Sequence, residues 1–236
     1  MKPGFRRRIL INPMPGASVA ALEDDIHCMA VTLRHDGQNV TAVEAEVDRA
    51  PWDTCPGAKA VLVSSFTGLP LIPGGTPGNK RQNCTHLYDL ADWAMSHALG
   101  QEALTYDIWV SDPEDGGVVS ELWRNGVPML RWTHRDNVLT SPAELAGASL
   151  IAMRDRLSPL PPAEREAAKI LQWASLVAHG RTMPWFKQAD ATAMPPNCYN
   201  FQPGRAALAT RKGEPQDFSA NSREPLSGFD GQAFVR

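Results

Sequence analysis

Two clusters of alternating apolar and polar residues, held apart by a helical pair, constrain the fold of this chain more than any other feature. From Ile26 to Val47 the pattern has period two, and His35-Asp36-Gly37-Gln38 separates Met29-Ala-Val-Thr-Leu from Val40-Thr-Ala-Val-Glu-Ala-Glu-Val. Asp-Gly between alternating runs marks a hairpin. After the helices, Thr105-Tyr-Asp-Ile-Trp-Val, Val118-Val-Ser-Glu-Leu-Trp and Pro128-Met-Leu-Arg-Trp-Thr read as three further strands, with turns at Asp115-Gly116-Gly117 and Asn125-Gly126. A short strand from Arg7 to Asn12, stopped by Pro13 and Pro15, precedes the first cluster. Strands, then helices, then strands, with no regular alternation, predict an α+β fold with a mainly antiparallel sheet.

Asp53 or Thr54 caps the first central helix, which carries Ala58, Val61, Leu62 and Ser65 with Pro56 in its opening turn. The second follows a glycine- and proline-rich loop, Leu69 to Asn79, and runs from Asn83 to Leu99, with Gly100 at its C-terminal end. Its Leu87, Leu90, Ala91, Ala94 and Ala98 form one apolar stripe. His86, Trp93 and His97 fall at the edge of the stripe beside Asp89, which places them against a cleft. Ser141-Pro142 opens another helical segment. Pro161-Pro162-Ala163 starts an amphipathic helix through Ala167, Ile170, Leu171, Ala174, Val177 and Ala178, closed by Gly180.

From Met183 onward the pattern dissolves, leaving isolated Trp185, Phe186, Tyr199, Phe201, Phe218, Phe229 and Phe234. Such a segment cannot form its own core, but aromatic anchors can pin it to a surface. The expected organisation is a single α+β domain over 1–182 and an irregular C-terminal arm over 183–236, packed on the domain or on a partner subunit. A disordered tail after Arg205 is the alternative.

With 236 residues the chain can bury a full core. A net charge of −3 argues against nucleic acid, and Arg6-Arg7-Arg8, the one tight basic run, reads as a solvated strand end. No run approaches the roughly twenty apolar residues of a membrane span, and the N-terminus lacks a secretion signal's apolar segment, so a cytoplasmic location is expected. The four cysteines form no Cys-x-x-Cys pair and read as thiols or metal ligands. Gly74-Gly-Thr-Pro-Gly-Asn-Lys80 lacks the spacing of a phosphate loop and reads as a lid over the central helix.

Cys84 and His86 sit in the first turn of that helix, where unpaired N–H groups and the dipole lower both pKa values. This predicts a neutral, proton-accepting His86 and a reactive Cys84. The plainer reading is a turn capped by Asn83 or Thr85, with a buried thiol and a hydrogen-bonded imidazole. Two constellations follow. His27, Cys55, Cys84 and His86 are ligand types that suit zinc, although each thiol is also simply a small buried group. The other set is metal-free: Asp25, His27, His86 and Asp89 supply a base and its orienting carboxylate, and Arg49 or Tyr106 holds a substrate oxygen. Within Glu23-Asp-Asp-Ile-His27, a strand that begins at Asp25 would place Asp25 and His27 on one face. Trp52, Trp93, Trp109, Trp123 and Trp132 offer indole surface for a core or a flat ligand.

Leu22-Glu-Asp-Asp-Ile-His27, Arg49-Ala-Pro-Trp-Asp-Thr-Cys-Pro56, Cys84-Thr-His-Leu-Tyr-Asp-Leu90 and Asn197-Cys-Tyr-Asn-Phe-Gln-Pro203 resemble the motifs of a bacterial domain-of-unknown-function family, number 2889. The resemblance runs from about Arg7 to Ala207. It implies formaldehyde-releasing lyase activity on lignin-derived aromatic dimers, with no cofactor required. It further implies His86 as general base, helped by Asp89 or by Asp25 and His27. Arg49 and Tyr106 would stabilise a phenolate or ether oxygen, and Trp52 and Trp93 would flank the rings. A small aromatic substrate and a homodimer go with this reading. The competing readings are a zinc-dependent hydrolase or lyase, and a non-catalytic aromatic-binding or assembly protein.

Overall fold

The computed structural model describes residues 2–72, 79–183, 189–220 and 223–229. Eight strands, β1 (Phe5–Met14), β2 (Ala17–Asp24), β3 (Cys28–His35), β4 (Val40–Arg49), β5 (Leu104–Val110), β6 (Gly117–Arg124), β7 (Val127–Arg135) and β8 (Val138–Ser141), form one sheet in the order β4-β3-β2-β1-β5-β6-β7-β8. Every neighbouring pair is antiparallel. The two strand clusters are therefore halves of a single α+β sheet, joined where β1 pairs with β5.

Helices α1 (Ala58–Phe66) and α2 (Thr85–Ser96) pack on the β1–β4 half, and α4 (Pro162–Thr182) packs on β5–β7, with the short α3 (Arg154–Leu157) beside it. Side chains that alternate onto the helix-bearing face, among them Ile9, Leu22, Val31, Ile108 and Leu122, join the helices in one core. Among the described residues no helix is long and apolar enough to cross a membrane.

Local chemistry explains most boundaries. Asp115-Gly116 and Asn125-Gly126 have φ of 48° and 76°, and of 49° and 77°, the left-handed pairs that suit tight hairpins. Asp136-Asn137 makes a third such turn, with φ of 50° and 62°, and leads into β8, which the pattern does not reveal. β1 does not stop at Asn12. It passes Pro13 because pairing with β5 ends at Ile11, so the missing N–H falls where β1 has a neighbour on one side only. β2, which precedes the first strand read from the pattern, goes unseen because it is buried along its whole length, on both faces, and so shows no alternation. Helix α2 is shorter than Asn83–Leu99, and α4 runs past Gly180 to Thr182.

The arm lies on its own domain. Tyr199 donates its backbone N–H to the Asn83 carbonyl at 2.8 Å, Gln216 donates to the Asp25 carbonyl at 2.6 Å, and Phe218 is fully buried. The contacts of the arm with the domain therefore continue well past Arg205. Trp185, Phe186, Phe234 and the body of the proposed lid, 73–78, lie outside the described residues.

Candidate acid-base site

The site begins at the tip of the β2–β3 hairpin. Asp24 ends β2, Cys28 starts β3, and the turn between them closes with the Asp24 N–H donating to the His27 carbonyl at 2.8 Å. Asp24 Oδ1 accepts the backbone N–H groups of Ile26 and His27, each at 2.7 Å, and faces His27 Nδ1 at 3.1 Å. Strand register puts Arg7 directly opposite, and its Nε and Nη2 reach Asp24 Oδ2 at 2.9 and 2.6 Å. Burial alone would raise the Asp24 pKa, but Arg7 and His27 outweigh it and hold the carboxyl far below the usual range. Asp24 is an ionised, fully hydrogen-bonded anion in the protein interior.

Helix α2 delivers His86 to this turn. The His86 and His27 rings stack with centroids 4.0 Å apart and planes 29° from parallel, and Arg7 Nη2 lies 3.3 Å from His86 Nε2. Burial, then the neighbouring His27 and Arg7, push the His86 pKa well below its ordinary 6.5. His86 is thus neutral as expected, though desolvation leads the causes rather than the helix terminus. Cys84 departs from expectation. Burial pushes its thiol up to about 11, against the backbone N–H groups of Leu87 and His86 that favour the thiolate, so it is not activated. Cys55 is also raised, chiefly by burial.

Three expected partners stand elsewhere. Asp25 turns away from His27 to Arg181 Nη1 at 2.9 Å, because residues 25–27 form a turn in which strand alternation does not apply. Desolvation, partly offset by Arg181, raises its carboxyl to about 7. Asp89 pairs with Lys80 Nζ at 2.5 Å, one helical turn beyond His86. His97 shares a helix with His86 but lies eleven residues on, about 16 Å along the axis at the α-helical rise, and bonds Glu166 at 2.9 Å.

The four residues expected to bind substrate are also dispersed. Arg49 clamps the hairpin, donating to Glu23 Oε1 at 3.2 Å and to the carbonyls of Asp24 and His27 at 2.5 and 3.2 Å. Tyr106 is fully buried, with its hydroxyl donating to Glu166 at 2.6 Å, and Trp93 belongs to the core. Trp52 lines a cavity of about 320 Å³ with Ile26, Arg49 and Arg211, beside the hairpin tip. No family model, curated protein or solved structure matches this chain.

Two central residues escaped the sequence reading. The basic run suggests that Arg7 is solvated like Arg6 and Arg8, yet it is 3% exposed. Alternation in β1 was the available signal, since the middle residue of three must face opposite to its neighbours. Asp24 was one of three adjacent carboxylates, and only the turn selects it.

Among the described residues, Asp24, His27 and His86 are the one group of three potential metal ligands with donor atoms within 4.8 Å of one another. Cys55 and Cys84 are not part of it. The trio does not suit a cation as arranged: the donors named above occupy both Asp24 oxygens, and the Arg7 guanidinium stands against His86 Nε2. The arrangement suits proton transfer, with a carboxylate orienting one imidazole beside a second that burial keeps neutral.

Proposed function

We propose that the chain is a cofactor-independent lyase that releases formaldehyde from a lignin-derived, phenylcoumaran-like phenolic dimer. The observation that carries the acid-base part is the Asp24–His27 pair, 3.1 Å apart and buried, stacked against neutral His86. The substrate class rests on the resemblance of the four motifs. In this reading His27 takes over from His86 as the base, because His27 is the imidazole that the carboxylate orients.

The reaction is redox-neutral. His27 removes the proton of the primary alcohol, the C–O group becomes formaldehyde, and the carbon–carbon bond to it breaks. Those electrons form a double bond to the adjacent carbon, which expels the aryl ether oxygen as phenolate. The phenolate takes up the proton that His27 removed, and the site returns to its starting state. Asp24 stabilises the imidazolium while it lasts.

The test incubates the purified chain with a panel of phenolic dimers and measures formaldehyde. His27→Gln should lower the rate by about 10²-fold or more while the circular dichroism spectrum is unchanged. An unaltered rate would dismiss His27 as the base, and a chain that binds the dimers without turnover would be a binding protein. A cytoplasmic homodimer is the setting this reading expects, tested by sedimentation for twice the 25.8 kDa chain mass.

A further inference from the structure

The two stacked imidazoles are not equivalent. A guanidinium carries five N–H donors and no acceptor. Arg7 Nη2, 3.3 Å from His86 Nε2, therefore meets a lone pair on that nitrogen, and neutral His86 must carry its proton on Nδ1. The Nε2–H form is the commoner one for a neutral histidine side chain in water, so the protein has to impose this arrangement. His27 is fixed by the opposite chemistry. Its Nδ1 faces Asp24 Oδ1 at 3.1 Å, and an ionised carboxylate only accepts, so the neutral form of His27 has its proton on Nδ1 and its lone pair on Nε2.

We propose that Arg7 is a positioning residue that locks His86 as a hydrogen-bond donor beside the base His27. The centre then offers one lone pair, on His27 Nε2, and one N–H, on His86 Nδ1. The guanidinium at Nε2 polarises that N–H toward an oxygen that gains negative charge. Such a pair selects substrates in which an alcohol hydroxyl stands near an oxygen leaving group. His27 takes the alcohol proton, while His86 stabilises the departing phenolate by hydrogen bonding without transferring its own proton. The substrate part rests on the lyase reading, whereas the tautomer and its cause rest on the Arg7–His86 contact and the burial that keeps His86 neutral.

The experiment labels the histidines of the full chain with ¹⁵N and records long-range ¹H–¹⁵N correlations near pH 8, with His86 assigned by the signals lost in His86→Gln. The expected result is a protonated Nδ1 and an unprotonated Nε2 for His86, with a shift toward Nε2–H in Arg7→Met. A His86 proton on Nε2 in the parent protein overturns the proposal, and this needs no variant to fold. An unchanged tautomer in folded Arg7→Met also overturns it. The expected tautomer in a protein that releases no formaldehyde from any dimer would remove the lyase reading and leave the role of Arg7 standing. A dimer with methyl in place of the hydroxymethyl group should bind with a similar Kd and release no phenol. Turnover of that dimer would overturn the selection for an alcohol.

Discussion

Asp24 shows how a single side chain can tie several parts of a fold together. Its carboxylate neutralises Arg7, caps the hairpin turn through two backbone N–H groups and orients His27, all out of contact with water. Removing one member of a buried ion pair strands the other, which costs about 3–5 kcal/mol. Asp24→Asn should therefore lower the urea unfolding free energy by that amount and abolish turnover as well. The pH dependence has a defined sign. The folded-state pKa of Asp24 is depressed, so its contribution is complete above the unfolded value of about 3.9 and is lost as pH falls toward the lower folded value. The gap between parent and variant should be flat above about pH 5 and shrink below pH 4. A gap that persists undiminished in acid would mean that the carboxylate is not the source. His86 adds a loss of stability beginning nearer pH 6.5 on acidification, because the unfolded imidazole binds the proton that the buried one refuses.

Among the elements, legibility followed burial. β4 and the strands of the β5–β7 meander each wet one face and so display period two, and the glycine turns beside them stand where the pattern puts them. β2 was lost because Ala17, Val19 and Ala21 on one face are as buried as Ala20 and Leu22 on the other. The turns give an element-level prediction. Gly126 has φ of 77° and nothing within 4 Å of an added Cβ, so Gly126→Ala has only the backbone cost of a left-handed residue. A loss of about 1 kcal/mol is expected in thermal unfolding. An unchanged midpoint would mean that the turn relaxes into another type. Helix α2 was also legible as a buried helix, but its polar residues were assigned to one cleft from their angular positions. Axial distance separates them, and His86 and His97 serve opposite ends.

For the molecule as a whole, the arm decides how the hairpin tip is held. Glu23, fully buried, receives Arg49 from β4 at 3.2 Å, and from the arm Arg223 at 2.7 Å and the Leu226 N–H at 2.7 Å. Arg181 at the end of α4 ties Asp25 to Asp217 of the arm. Phe218 is the apolar anchor between these polar ties, with the Arg49 and Arg223 guanidinium groups 6.0 and 5.6 Å from its ring. Phe218→Ala should release the arm while the sheet survives. Trypsin should then cut after Arg211, Lys212 or Arg223 faster than in the parent, with little change in the circular dichroism spectrum. Equal cleavage rates would show that the ionic ties suffice without the ring.

The class of fold, most of the strands, the two long helices and the choice of His27 and His86 as candidate residues were all written in local pattern: periodicity, turn residues and helix punctuation act over a few residues and need no knowledge of distant chain. The joining of the two strand clusters, the choice of Asp24 over Asp25, the inward turn of Arg7 and the burial that disarms Cys84 were not. Each depends on segments far apart in sequence meeting: β1 against both β2 and β5, and α2 against the hairpin tip. Electrostatic character follows from what surrounds a charge in space. Arg7 and His86 are 79 positions apart in the chain and 3.3 Å apart in the fold.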